Sequence, residues 1–256
     1  MIRGALGHMD VAQLTIWVFW LFFAGLVFWL RKEDRREGYP LESEGVPQFN
    51  GDRGFLLIPR PKTFRLANGD VIQAPRFNEP QSPYSAEKVE PWPGAPFQPK
   101  GDPMLAGVGP GAYNVRPDKP YNALDGQDLV QPLRAAKHFA LSPEGGNPIG
   151  LPVIGSDNNV GGKVKDVWVD ISESVVRYYE VELADGTGNI ILPVYFGDVQ
   201  FSKRRVVVKA LLAEQFTKAP RLANPDRITM LEEDKLSAFV AAGTLYSTAE
   251  RVEPFI

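Results

Sequence analysis

The sequence predicts a single transmembrane helix, a long extended segment, and a mainly β domain that ends in an amphipathic helix. Three observations carry this reading. Val11 to Leu30 holds no charged residue in twenty positions. Nineteen of the 23 prolines fall between Pro40 and Pro152. From about Gly150 onward, short runs rich in Val, Ile and Tyr alternate with glycine turns, the pattern of a small barrel or curled sheet.

The chain has 256 residues, with 44% hydrophobic and 23% charged. That is an ordinary balance for a protein with a buried core. The net charge of −3 argues against a nucleic-acid binder that relies on a basic field. There are no cysteines, so disulfides, Cys-ligated zinc, iron–sulfur clusters and Cys nucleophiles are excluded. The two histidines, His8 and His138, are too few and too far apart for a multi-histidine metal site. No metal site is expected.

A helix over Val11–Leu30 would be about 30 Å long, the thickness of a bilayer's hydrocarbon core. Lipid offers the backbone no hydrogen-bond partners, so a lone span must be helical. Asp10 can cap it, with Gln13 at capping-box spacing. Trp17, Trp20 and Trp29 sit towards its ends, where amphipathic rings favour the interface. One strong base, Arg3, precedes the span, whereas Arg31, Lys32, Arg35 and Arg36 follow it. The positive-inside rule therefore places residues 1–10 in the periplasm and everything after the span in the cytoplasm. A secretory signal has the opposite order of bases and apolar core. The helix should run on through Arg31–Glu37 to Gly38 and stop at Tyr39-Pro40. The four bases are candidates for the membrane surface or for lipid headgroups.

Residues 39–146 form the proline-rich cytoplasmic segment. Prolines at this density prevent regular helices and central strands. Yet Phe49, Phe55, Phe64, Phe77, Tyr84, Trp92, Phe97 and Tyr113 lie in it, and aromatics are costly to leave in water. The segment reads as extended chain lying on a surface, such as a partner's, with short strands. FLLIPRPKTFRLANGDVIQAP (55–75) predicts two of these around a turn at Asn68-Gly69.

Residues 147–256 form the β domain. It should hold a strand and a glycine turn before Val164, Val167 and Val169, then two strands joined near Asp185-Gly186, and another strand that runs into a helical turn at LLAEQF (211–216). LEEDKLSAFVAAG (231–243) predicts one helix. Leu231, Leu236, Phe239 and Val240 share a face, and Gly243 follows its end. The acids Glu232, Glu233 and Asp234 suit a helix N-terminus.

No nucleophile elbow, P-loop or dinucleotide fingerprint is present. GVGPG (107–111) lies between no clear strand and helix, and His138 beside Phe139 reads as structural. Asp166, Asp170 and Glu173, with Arg177 four positions on, are the most suggestive polar group. They read either as a solvated loop or as a cluster that tunes charge and conducts protons.

Across nearly the whole chain, the sequence resembles the H subunit of purple bacterial photosynthetic reaction centres. LRKEDRREGYPLE (30–42) directly after a span is the most specific block. RPKTFRL (60–66), GDPMLAGVGPGAY (101–113), NPIGLPV (147–153), GKVKDVWVD (162–170), RYYEVEL (177–183), LLAEQF (211–216) and TMLEEDKLSAFVAAGTLY (229–246) follow in order. The β part is similar to the PRC-barrel fold. The resemblance implies a subunit that is not an enzyme and that caps the L and M subunits on the cytoplasmic side. Those partners would carry the bacteriochlorophylls, bacteriopheophytins, quinones and non-haem iron. A cytochrome subunit and a light-harvesting antenna are further implied partners, in an intracytoplasmic photosynthetic membrane.

The cap would shield the quinone sites and support proton delivery to the secondary quinone. The resemblance carries over Glu173 and Arg177 from the loop before the RYYEVEL-like strand, and Asp125 from the LDG motif (124–126). Asp170 belongs to the same group. Some members have two histidines after that motif. Here Gln127 and Asp128 stand instead, with Asp128 as the substitute, and no histidine-built metal site is implied. The rival reading is a membrane-tethered PRC-barrel adaptor that binds another protein or an RNA-processing partner.

Overall fold

A computed structural model describes residues 10–37, 59–67, 69–75, 83–92 and 95–252. Arg3, His8, Phe49, Phe55 and Phe77, the predicted helix stop at Gly38 and Tyr39-Pro40, and Asn68 of the predicted turn lie outside the described residues. The chain divides into two compact units, 1–79 and 80–256.

In the first unit, helix α1 runs over Val11–Glu33 and passes into a single tighter turn, Asp34–Arg36; Glu37 is already extended, so the helix stops short of the expected run to Gly38. It is long and apolar enough to cross a membrane, and none of its residues is buried within the chain. Asp10 is the N-cap residue, but its side chain makes no capping bond. The expected capping box with Gln13 is therefore absent. The Asp10 carbonyl instead receives the Leu14 N–H, the ordinary first helical bond, at 3.0 Å. Strands β1 (Lys62–Arg65) and β2 (Val71–Ala74) form the expected antiparallel hairpin, with Phe64 opposite Ile72. Its turn closes through Gly69 N–H to the Leu66 carbonyl at 2.9 Å, with Gly69 at a positive φ of 85°.

The second unit opens with a small hairpin, β3 (Ala86–Lys88) on β4 (Phe97–Pro99). Seven further strands build one curled sheet. They are β5 (Val130–Pro132), β6 (Pro152–Ile154), β7 (Val160–Asp170), β8 (Val175–Leu183), β9 (Asn189–Pro193), β10 (Gly197–Gln200) and β11 (Arg205–Val208). The sheet order is β10-β11-β6-β7-β8-β9, with β5 also paired to β7. The parallel pair is β11 with β6. β5 comes from the proline-rich stretch and takes the half of β7 that β6 leaves open.

The centre of the sheet is the β7–β8 hairpin. Simple alternation would put Val164 and Val167 on opposite faces. A bulge between Val164 and Asp166 resets the register. As a result, Val164, Val167 and Val169 all enter the main core with Tyr179, Val181, Leu192 and Val206. Trp168, Tyr178 and Ile191 point the other way and form a second core with Val130, Ile228 and Leu236. Both faces of the hairpin are therefore covered, which is why Val167, Trp168 and Val169 are buried in succession.

Helix α2, Met230–Tyr246, closes the unit. Thr229 and Glu232 form a capping box at its start. The predicted face of Leu236, Phe239 and Val240 is buried, and Ala238, Ala242 and Gly243 are buried as well. Leu231 is only half-buried. Gly243 does not end the helix, which continues three residues further. A Cβ there would strike the Ala210 carbonyl and come within 2.7 Å of Leu211 Cδ2, so this glycine is a point of close approach and not a stop signal. Part of the proline-rich stretch lies on this chain's own surface. Met104 and Ala106 are buried, and Gly111 sits against Ala242. Tyr84, Trp92 and Phe97 remain exposed.

On an open helix face, Gly243→Ala would stabilise by about 1 kcal/mol. Here overpacking, typically about 1–3 kcal/mol, should outweigh that gain. The urea midpoint of the full chain in detergent should therefore fall; a rise would show that Gly243 is not tightly packed.

Candidate functional site

The acids grouped in the sequence separate in the fold. Asp170 ends β7 and shapes the turn into β8. Its carboxylate accepts hydrogen bonds from the backbone N–H of Ser172 (3.0 Å) and Glu173 (3.1 Å), and from the Ser172 hydroxyl (2.7 Å). Arg177 approaches the other oxygen at 3.2 Å. Short polar residues make such turns because the side chain replaces backbone partners. Ser174 completes the turn at a φ of 57°, a left-handed conformation that costs a non-glycine residue roughly 1 kcal/mol or more. Burial pushes the Asp170 carboxyl up. The Ser172 hydroxyl, the two N–H groups and the Arg177 charge outweigh burial and hold it below the usual range. Asp170 is thus a fixed anion, while Glu173 and Arg177 stand exposed beside it.

A second loop comes to the same edge. Asn122 bridges Asp128, and the turn between them carries Asp125 at its tip. The Asp125 carboxylate accepts the Gln127 N–H at 3.0 Å. Leu124 beside it is 96% exposed. Asp128 is clamped by Arg227 through two hydrogen bonds, 2.7 and 2.9 Å, and by the Asn122 amide at 2.8 Å. The strand that follows places Val130 opposite Asp170, and the Ile171 N–H donates to the Leu129 carbonyl at 2.9 Å. The β5–β7 pairing therefore brings Asp125, Asp128, Asp170, Glu173 and Arg177 to one edge. A groove of about 460 Å³ adjoins it, lined by Phe139, Leu141, Val169, Val175 and Phe201 among others.

Asp166 belongs elsewhere. It faces Glu180 across the hairpin, and Arg134 lies between them. The Arg134 guanidinium also holds Asp226 at 2.8 Å and the Pro225 carbonyl at 2.8 Å. Glu180 further receives Trp168 Nε1–H at 3.2 Å and the Asn189 amide at 2.6 Å. Burial alone would lower the Arg134 pKa, but the three carboxylates overcome it and push it further up. The cluster is a structural lock and not part of the edge.

The acids at the start of α2 are each engaged. Glu232 caps, Glu233 accepts the Tyr178 hydroxyl at 2.8 Å, and Asp234 pairs with Arg116 at 3.2 Å. The GVGPG run packs against α2 at Tyr246 and Ala242. His138 is an exposed turn residue. In the first unit, Arg31 is exposed and lies 3.8 Å from Asp34, while Lys32 and Arg35 are half-buried. Arg36 differs, since Glu33 and the carbonyls of Arg60 and Ala74 occupy its guanidinium.

Residues 4–135 match the family model described as photosynthetic reaction centre, H-chain N-terminal region. This match covers more than half of the chain. The chain belongs to the reaction-centre H-chain family. Residues 144–215 match the PRC-barrel domain, in agreement with the curled sheet and its bulged central hairpin. This H chain is thus membrane-anchored through one candidate span and carries its PRC-barrel in the second unit. Arg227 at the edge, and Arg134, Glu180 and Asp226 in the lock, were not read from the sequence. A signal for Arg134 exists. Pairing GKVKDVWVD with RYYEVEL sets Asp166 opposite Glu180, and like charges directly opposite require a cation.

Because Asp170 is held below its usual 3.8, its contribution is fully present above about pH 4 and is lost as pH falls through the lower folded value. Asp170→Asn should therefore lower the urea midpoint at neutral pH by the equivalent of about 1–2 kcal/mol. The difference from the unsubstituted chain should close below about pH 4. A gap that persists into strong acid would show that the carboxylate's charge is not what holds the turn.

Proposed function

We propose that this H chain is a non-catalytic subunit that caps the L and M subunits of a reaction centre on the cytoplasmic side. It shields the quinone sites and supports proton delivery to the secondary quinone. The observation that carries this reading is the H-chain match over residues 4–135, together with a helix fit to cross a membrane. The excess of bases after the span favours a periplasmic N-terminus.

Exposed Tyr84, Trp92 and Phe97 support a protein partner over the proline-rich stretch, because aromatics dominate interface energetics. Bacteriochlorophylls, bacteriopheophytins, quinones and the non-haem iron belong to the partner subunits in this reading. A cytochrome subunit and an antenna are compatible additions.

Reducing a quinone to quinol takes up two protons, and a relay must lose and regain its charge to pass them. Asp170 is unsuited to that exchange, since its hydrogen bonds and Arg177 favour the anion. Its role is electrostatic: it fixes the turn and holds negative charge beside Glu173. Asp128 has both carboxylate oxygens occupied by Arg227. Glu173 and Asp125 are the exposed carboxylates of the edge, and they are the carriers in this reading.

Two outcomes test the proposal. The chain purified from its native membrane in mild detergent should carry near-infrared bacteriochlorophyll and bacteriopheophytin bands and co-elute with two hydrophobic chains. A colourless protein from membranes that contain reaction centres would sink the reading. Glu173→Gln should slow the second electron transfer to the secondary quinone and leave primary charge separation unchanged. Unaltered flash-induced quinone kinetics would remove Glu173 from the path.

A further inference from the structure

The span is not the first unit's sole feature suited to a membrane. Arg36 straps the base of the β1–β2 hairpin to the end of α1. Its Nη1 donates to the Arg60 carbonyl at 2.9 Å, just before β1, and to the Ala74 carbonyl at 2.8 Å, at the end of β2. Lys62 reaches back along the helix. Its ammonium lies 2.7 Å from Glu33 and 5.9 Å from the centroid of the Trp29 ring. Trp29 is the penultimate residue of the uncharged run.

These contacts fix the depth of the hairpin. Arg36 lies about 10 Å along the helix axis from Trp29 at ~1.5 Å per residue. A headgroup layer is about 5–8 Å thick on each side of the bilayer. With Trp29 at the edge of the hydrocarbon, the strapped end of the hairpin falls just outside the headgroup layer, and Lys62 reaches from it back to Trp29. The hairpin face that carries Lys62 also carries Phe64 and Leu66, because residues two apart share a face. Both are apolar and remain 41% and 42% exposed. Thr63 and Arg65 lie on the opposite face. Arg60 and Arg65 are exposed bases on or beside the same strand, and Arg31 and Lys32 lie at the helix end.

We propose that the β1–β2 hairpin is a second, interfacial membrane contact of this chain. Phe64 and Leu66 enter the boundary between headgroups and acyl chains. The surrounding arginines stay at phosphate level and favour an anionic leaflet. The occupant of this face is lipid because the same residues that tie the hairpin down also turn it towards the level of Trp29. The strap limits how far the cytoplasmic end of the span can rotate or slide. The inference rests on reading α1 as a span.

The chain has no cysteine, so single nitroxide labels can be placed without background. Phe64→Cys, Thr63→Cys and Leu21→Cys are labelled in the full-length chain. Each is reconstituted in vesicles of phosphatidylcholine with phosphatidylglycerol. Relaxation by oxygen, which partitions into lipid, is compared with relaxation by a water-soluble nickel chelate. The Phe64 label should favour oxygen several-fold over the Thr63 label. That preference should weaken in pure phosphatidylcholine, while Leu21 stays lipid-exposed in both. A Phe64 label as open to the nickel chelate as Thr63, with Leu21 still in lipid, overturns the hairpin contact and leaves the span intact. A Phe64 label shielded from both reagents overturns it in favour of a protein cover. A water-exposed Leu21 label removes the span, and the proposal with it.

Discussion

Asp166 and Glu180 lie opposite each other on the central hairpin and are almost wholly withdrawn from water. Two like charges in that position would oppose the pairing that builds the sheet. Arg134 resolves this by placing Nη1 between them, while Nη2 reaches Asp226 and the Pro225 carbonyl and Nε also donates to Asp226. The arrangement joins three distant parts of the chain: the stretch after β5, the hairpin, and the segment before α2. Trp168 and Asn189 complete the hydrogen bonds of Glu180, so the cluster tolerates burial.

Much follows from that lock. With Arg134 on the second face, the residues before it can pair as β5 with the far half of β7. That pairing sets Val130 beside Asp170 and carries the Asp125–Asp128 turn to the edge where the Asp170 turn already stands. The segment around Asp226 brings Arg227 onto Asp128. The candidate site is therefore assembled by the same contacts that close the second core over Trp168. Of its two exposed carboxylates, Glu173 sits on the turn that Asp170 shapes and Asp125 on the turn that ends at Asp128.

Most of the fold was legible in the sequence because it rests on local patterns. Twenty uncharged residues with bases to one side define a span, and the β1–β2 and β8–β9 hairpins fall where turn residues separate apolar runs. At a few positions a residue's local meaning differs from its packing. Gly243 has the identity of a helix stop, yet it lies inside α2, where Ala210 approaches too closely to admit a side chain. Asp10 has the identity of a cap without its hydrogen bond. The acidic group split because a bulge at β7 turns Asp166 towards Arg134 while Asp170 closes a turn.

The sequence by itself determined the span, its flanking charge, the β character of the second unit, and membership of the H-chain family. All of these are properties of neighbouring residues or of ordered blocks. Tertiary structure alone decided which charges are locked and which face solvent. Arg134 is 32 positions from Asp166, and Arg227 is 99 from Asp128. Pairings at such separations have no local period to reveal them, because they are selected by the cost of burying an unpaired charge once the sheet has formed.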